Sequence, residues 1–228
     1  MPPITSAEAR SSSLPYVVPF GAYIGFLALH AIAPLPDLAD LSLRVAGMLI
    51  VLGWFARPVL DFRTQRWMAS VLLGIAVFVL WIAPDILIPG YRHSWLFENA
   101  IIGKAHASLS PGGQKHIGVL TLRTIAAAAI VPMVEELFWR AWLMRWLISA
   151  DFQKVPLGAY TRQSFWIVAI LFGSEHGSYW EVGLAAGIVY NWWMVRTKSL
   201  GDLILAHAVT NACLSAYVIA AGKWEYWF

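Results

Sequence analysis

The chain reads as an all-α polytopic membrane protein, a bundle of about seven or eight transmembrane helices around a polar intramembrane cavity. Three observations lead there. Of its 228 residues, 59% are hydrophobic and only 13% charged, with a mean hydropathy of +0.64; a soluble domain carries about 25% charged residues. Apolar runs recur along the chain, separated by short connections rich in Pro, Gly and Arg. Carboxylates, a guanidinium and imidazoles interrupt several of those runs, and an ionised group at the centre of a span costs ~2.5–3.5 kcal/mol on insertion scales unless paired or hydrated. The 13 Trp suit interfacial belts. The net charge of +3 is spread through short connections, as topology control requires, and gives no nucleic-acid surface. The single Cys213 rules out an intrachain disulfide framework and any multi-cysteine metal site; in its apolar run it reads as a small buried hydrophobe.

Taken in order, residues 1–13 are a polar tail expected to be disordered, and 14–228 form one transmembrane domain. The polar start, and a first run of about 20 residues without a small-x-small exit, make 14–33 a retained span rather than a cleaved signal. It closes at Pro34-Leu35-Pro36-Asp37, where His30 reads as interfacial. A second span covers 43–56 and exits through Arg57, Pro58, Asp61, Arg63 and Arg66. A third covers 68–88. The connection 90–116 is the longest polar one, and 95–107 within it is a candidate surface helix. The run 117–148 exceeds the ~20 residues needed to cross, so it tilts or projects, and Pro132 frees a carbonyl one turn back. Runs at 164–172 and 179–195 flank Gly173-Ser174-Glu175-His176-Gly177-Ser178, and 200–221 is the last span. Basic residues at 57–66, 145–162 and 196–198 then share one side, which places the N-terminus in the cytoplasm and the C-terminus outside. An eighth span inside 90–116 would reverse the second half of that assignment.

The run Glu135-Glu136-Leu137-Phe138-Trp139-Arg140 organises the rest. Glu136 and Arg140 are four apart, on one helix face, with the acid first, the better order for an ion pair. Glu135 points about 100° away, so one carboxylate is held while the other stays free. His176 lies in the second cluster. In the third, His207 and Asn211 share a face, and intramembrane ionisable groups mark functional sites by default. A carboxylate beside an imidazole in a dry pocket can act as general base on water. His207 and Asn211 can donate to an oxygen that becomes negative as a carbonyl is attacked. No serine or cysteine sits in a recognisable nucleophile elbow, which favours water attack. The rival chemistry is zinc, since three N/O ligands plus water form the usual catalytic set, although the spacing is not H-E-x-x-H. No cofactor is expected, with zinc as the alternative.

Together the three clusters resemble the CAAX-protease and bacteriocin-processing (CPBP, or Abi) family of intramembrane peptidases. Its pattern is E-E-x-x-x-R, then F-x-x-x-H, then H-x-x-x-N/D, met here by Glu135-Glu136…Arg140, Phe172…His176 and His207…Asn211, all within 117–221. The resemblance implies about eight helices around a water-accessible conical cavity. In it Glu135 and His176 activate water, Glu136 is fixed by Arg140, and His207 with Asn211 forms the oxyanion hole. Glu175 departs from the pattern, standing where the family often has a small residue. Length and Trp content also look similar to the CAAX-protease-related subgroup found beside exosortase systems, which implies a bacterial inner membrane. The function expected is an intramembrane endopeptidase acting near the terminus of a membrane-associated peptide or protein. The alternatives are a catalytically inert immunity-type membrane protein and a small proton-coupled transporter; the latter is disfavoured because no inverted repeat is evident.

Overall fold

A computed structural model describes residues 13–100 and 102–227. The expected tail at 1–13 lies outside the described residues except for Ser13. Among the described residues seven helices carry the fold: α1 (Leu14–Ile32), α2 (Asp37–Ala56), α3 (Trp67–Leu87), α4 (Ile117–Trp146), α5 (Arg162–Ser174), α6 (Trp180–Thr197) and α7 (Leu200–Ala221). Among the described residues no strand forms beyond an isolated bridge, Asn99 with Gly103. Five helices, α1 to α4 and α7, are long and apolar enough to cross a membrane, fewer than the expected seven or eight. The shortfall is the α5–α6 hairpin. α5 has only 13 residues, about 20 Å of helix, and α6 interrupts its apolar sequence with Glu181, Asn191 and Arg196.

Several boundaries differ from expectation for identifiable reasons. α2 starts at Asp37, not 43, because the added turn carries Asp40, which pairs with Arg44 at 2.6 Å. The described residues of 95–107 form turns and irregular backbone rather than a surface helix. Its backbone bends at Gly103 (φ 83°), and the Asn99 side chain caps the turn by accepting from Ile102 N–H at 3.0 Å. The long run 117–148 is one helix that ends at Trp146. It opens at His116, whose Nδ1 accepts from Val119 N–H.

Two wide π turns, Ala126–Ile130 and Leu137–Leu143, interrupt α4. In the first, Val131 N–H bonds Ala126 O, a register one residue wider than α-helical. The next nitrogen belongs to Pro132 and has no hydrogen. The carbonyl of Ala127 therefore loses its helical donor, so the proline frees a carbonyl as expected but one residue earlier than straight α-helical geometry dictates.

The helices approach closely at small residues, as membrane helices do. Gly74 on α3 lies against the Ala206 carbonyl and Val209 of α7, and Gly173 and Gly187 let α5 and α6 meet at Leu184 and Ala169. Thr210 of α7 donates to Gly74 O at 2.9 Å. Apolar side chains such as Ile50, Leu72, Leu87 and Ile170 point outward, as a bilayer requires.

The connections gather at two ends. At one end the buried Asp202 accepts from Gln65 N–H, Arg66 N–H and the Ser70 hydroxyl, Ser199 donates to Arg63 O, and Trp142 bonds Ser13. At the other, Asp37 accepts from Ser110 and Ser108 donates to Trp227 O. Arg92 there bridges Asp85 and Glu181 and donates to Ser178 O.

Gly74→Ala forces a methyl into the Ala206 carbonyl. Overpacking of this kind costs ~1–3 kcal/mol, and unfolding of the purified protein in mixed micelles should show that loss.

Candidate active site

The short α5 sets the depth of the site. Thr161 caps its start through a reciprocal pair with Ser164, and it stops at Ser174, where Gly177 takes a positive φ of 53°. Its final turn therefore lies at the level reached by the middle of α4 and the first half of α7. His176 follows the last turn of this short helix and so joins Glu135 and His207 at one cavity.

All six expected site residues border one region, but they divide into two groups. Glu136 and Arg140 are fully buried (0% exposed) and do not line the cavity. Arg140 Nη1 donates to Glu136 Oε1 at 3.2 Å, and its Nε donates to Asn191 Oδ1 at 2.9 Å. The guanidinium also lies over the Phe172 ring, 4.2 Å from its centroid. Glu136 Oε1 meets His207 Nδ1 at 2.7 Å. The carboxylate has no hydrogen, so Nδ1–H is the donor, and Nε2 is left facing Glu135 Oε2 across 3.8 Å. Tyr190 stacks on the His207 ring at 4.9 Å, and its hydroxyl is fixed by Thr210.

Glu135, His176, His207 and Asn211 face a cavity of about 540 Å³. Glu135 is buried, yet its Oε2 has no hydrogen-bond partner among the described residues. An unpartnered buried carboxylate oxygen is costly, and it persists where chemistry uses it. His176 Nδ1 donates to Phe172 O at 2.7 Å, one of the last carbonyls of α5 and hence without a helical donor. That bond fixes the tautomer in which Nε2 carries the lone pair. Asn211 Nδ2 donates to Ala127 O at 2.8 Å, the carbonyl released by the π turn and Pro132. One amide hydrogen is thereby committed, and the other remains for a ligand.

Glu175 does not orient His176. Its Oε1 accepts from Trp139 Nε1 at 3.0 Å, and it stands in the cavity wall. One ligand atom each from Glu135, Glu175 and His176 lies within 4.8 Å of the others, so among the described residues these three could hold a metal ion. On the sequence alone Asn191 suits cavity lining and interfacial anchoring equally well; in the structure it is buried at 0% exposure and bonded to both Arg140 and Phe165 O. An amide in the middle of an otherwise apolar helix was the available signal. Tyr190, equally open on the sequence between cavity lining and interfacial anchoring, lines the cavity with its ring against His207.

Residues 117–213 match the model of the family described as type II CAAX prenyl endopeptidase Rce1-like, which belongs to the CPBP family. The match spans somewhat under half of the chain and includes every motif position from Glu135 to Asn211. The family is one of CAAX proteases, which are hydrolases. No curated protein and no solved structure matches the chain.

Two substitutions separate the roles. Asn211→Ala strands the Ala127 carbonyl, and unfolding measurements should show a loss of ~1–3 kcal/mol. Glu135→Gln removes a charge that lacks a hydrogen-bonded partner, so the same measurement should show stability equal to or above that of the unaltered protein.

Proposed function

We propose that the chain is an intramembrane endopeptidase that hydrolyses a peptide bond near the terminus of a membrane-associated protein or peptide, with one catalytic transmembrane domain whose core is 117–221. The observation that carries this reading is the division between adjacent glutamates: Glu136 is bound by Arg140 and His207 away from the cavity, while Glu135 lines the cavity with its Oε2 3.8 Å from His207 Nε2.

In the proposed mechanism Glu135 takes a proton from water as the oxygen attacks the scissile carbonyl, and His176 Nε2 accepts a hydrogen bond that orients that water. The carbonyl oxygen becomes negative and is met by the second Asn211 amide hydrogen and, with imidazolium at 207, by Nε2–H. Collapse breaks the C–N bond, Glu135 returns its proton to the leaving nitrogen, and a carboxylic acid and an amine result. Glu136 and Arg140 hold His207 in place and touch no substrate. The α5–α6 hairpin packs among the five long helices that cross a bacterial inner membrane.

A zinc-dependent version is the second reading, favoured by the proximity of Glu135, Glu175 and His176. Those residue types fit a three-ligand catalytic set, and the ion would supply an acidified water.

Purified protein should be given a panel of membrane-associated peptides. On the glutamate reading, cleavage survives a chelator and falls at least ~100-fold in Glu135→Gln, within the range typical of a lost general base. Loss of cleavage on chelation, restored by zinc, would transfer the assignment to the metal. Cleavage by Glu135→Gln at the unaltered rate would contradict both.

A further inference from the structure

We infer that the cavity opens on the non-cytoplasmic side, so that its substrate is a polypeptide segment already displayed outside the cytoplasm. The designation of a substrate rests on the peptidase reading above; the orientation rests on the fold and on the distribution of Lys and Arg between its two ends.

The side-chain bridges sort the connections into two ends. Residues 57–66, 147–161 and 198–199 belong to one end, tied by Asp202 to Gln65 and Arg66 and by Ser199 to Arg63. Residues 33–36, 88–116 and 222–227 belong to the other, tied by Asp37 to Ser110, Ser108 to Trp227 O and Tyr226 to Asp85.

The cavity belongs to the second end. From Glu135 and His207 at its floor it runs to walls formed by His30, Asp37, His106, Ser108 and Trp227. His106 and Ser108 are exposed there. Among the described residues, none from 57–66, 147–161 or 198–199 lines it.

The charge asymmetry assigns the ends to sides. The closed end carries Arg57, Arg63, Arg66, Arg145, Lys154, Arg162, Arg196 and Lys198 in its connections and adjoining helix turns; the open end carries Arg92, Lys104, Lys115 and Lys223, with Arg44 and Arg123 deeper on the cavity wall. Arg92 is further bound by Asp85 and Glu181. Connections this short obey the bias of Lys and Arg towards the cytoplasm. The closed end therefore faces the cytoplasm and the mouth faces away from it. A peptide entering by this mouth reaches Glu135 from the far side, so a chain that must be exported before it is cut fits this site.

The test is cysteine accessibility in the full-length chain, with Cys213→Ala as background. Lys104→Cys reports the open end and Lys154→Cys the closed end; both side chains are largely exposed. A membrane-impermeant maleimide should label Lys104→Cys in intact cells with a permeabilised outer envelope, and Lys154→Cys only after the inner membrane is breached. The reverse pattern, or equal labelling of both before breach, overturns the inference. Labelling requires no activity, so it stands or falls separately from the peptidase reading.

Discussion

The buried charge chain Arg140–Glu136–His207 is the constraint on which the site depends. Burying two ionised groups at zero exposure is expensive, and their attraction offsets that cost only with good geometry and further hydrogen bonds. Here Asn191 supplies the further bond to the guanidinium, and Phe172 supplies a ring face beneath it. Because Glu136 is consumed in this way, His207 is aimed with Nε2 outward and Tyr190 at its flank. Glu135, one residue earlier, is left without an equivalent partner. Its isolation is thus a consequence of how fully its neighbour is bound.

A second dependency runs through the backbone. The π turn at Ala126–Ile130 and the missing hydrogen of Pro132 release a carbonyl in the middle of α4. Asn211 from α7 answers it, which locks α7 to α4 at the height of the site and turns the remaining amide hydrogen towards the cavity. Strain in one helix is thereby converted into register between two. The short α5 performs the same service on the opposite wall, since its last turn holds Phe172 O for His176 and Phe172 itself for Arg140.

Much of the site was legible because its logic is local. Four-residue spacing on a helix states that Glu136 meets Arg140 and that Glu135 does not share their face, and the ion pair forms at 3.2 Å as that spacing requires. Apolar runs likewise announced a helical membrane protein. What stayed hidden depends on partners far along the chain: Asn191 lies 51 residues from Arg140, and Asp202 lies 136 from Arg66. Nothing in the alanines at 126–129 marks a π turn, since the wide register is imposed from outside the segment. The end of α5 inside the bundle also escaped sequence reading, because apolar composition alone does not record at which depth a helix stops.

The division of labour between the two glutamates can be measured without a substrate. Double-mutant cycles on unfolding free energy would compare Glu136→Gln with Arg140→Met, and Glu135→Gln with Arg140→Met. The account requires a coupling of ~2 kcal/mol or more for the first pair, as expected when one partner of a buried ion pair is removed. It requires a coupling within ~0.5 kcal/mol of zero for the second. Equal couplings would mean that both carboxylates share the arginine, and would contradict the claim that Glu135 is held free for chemistry.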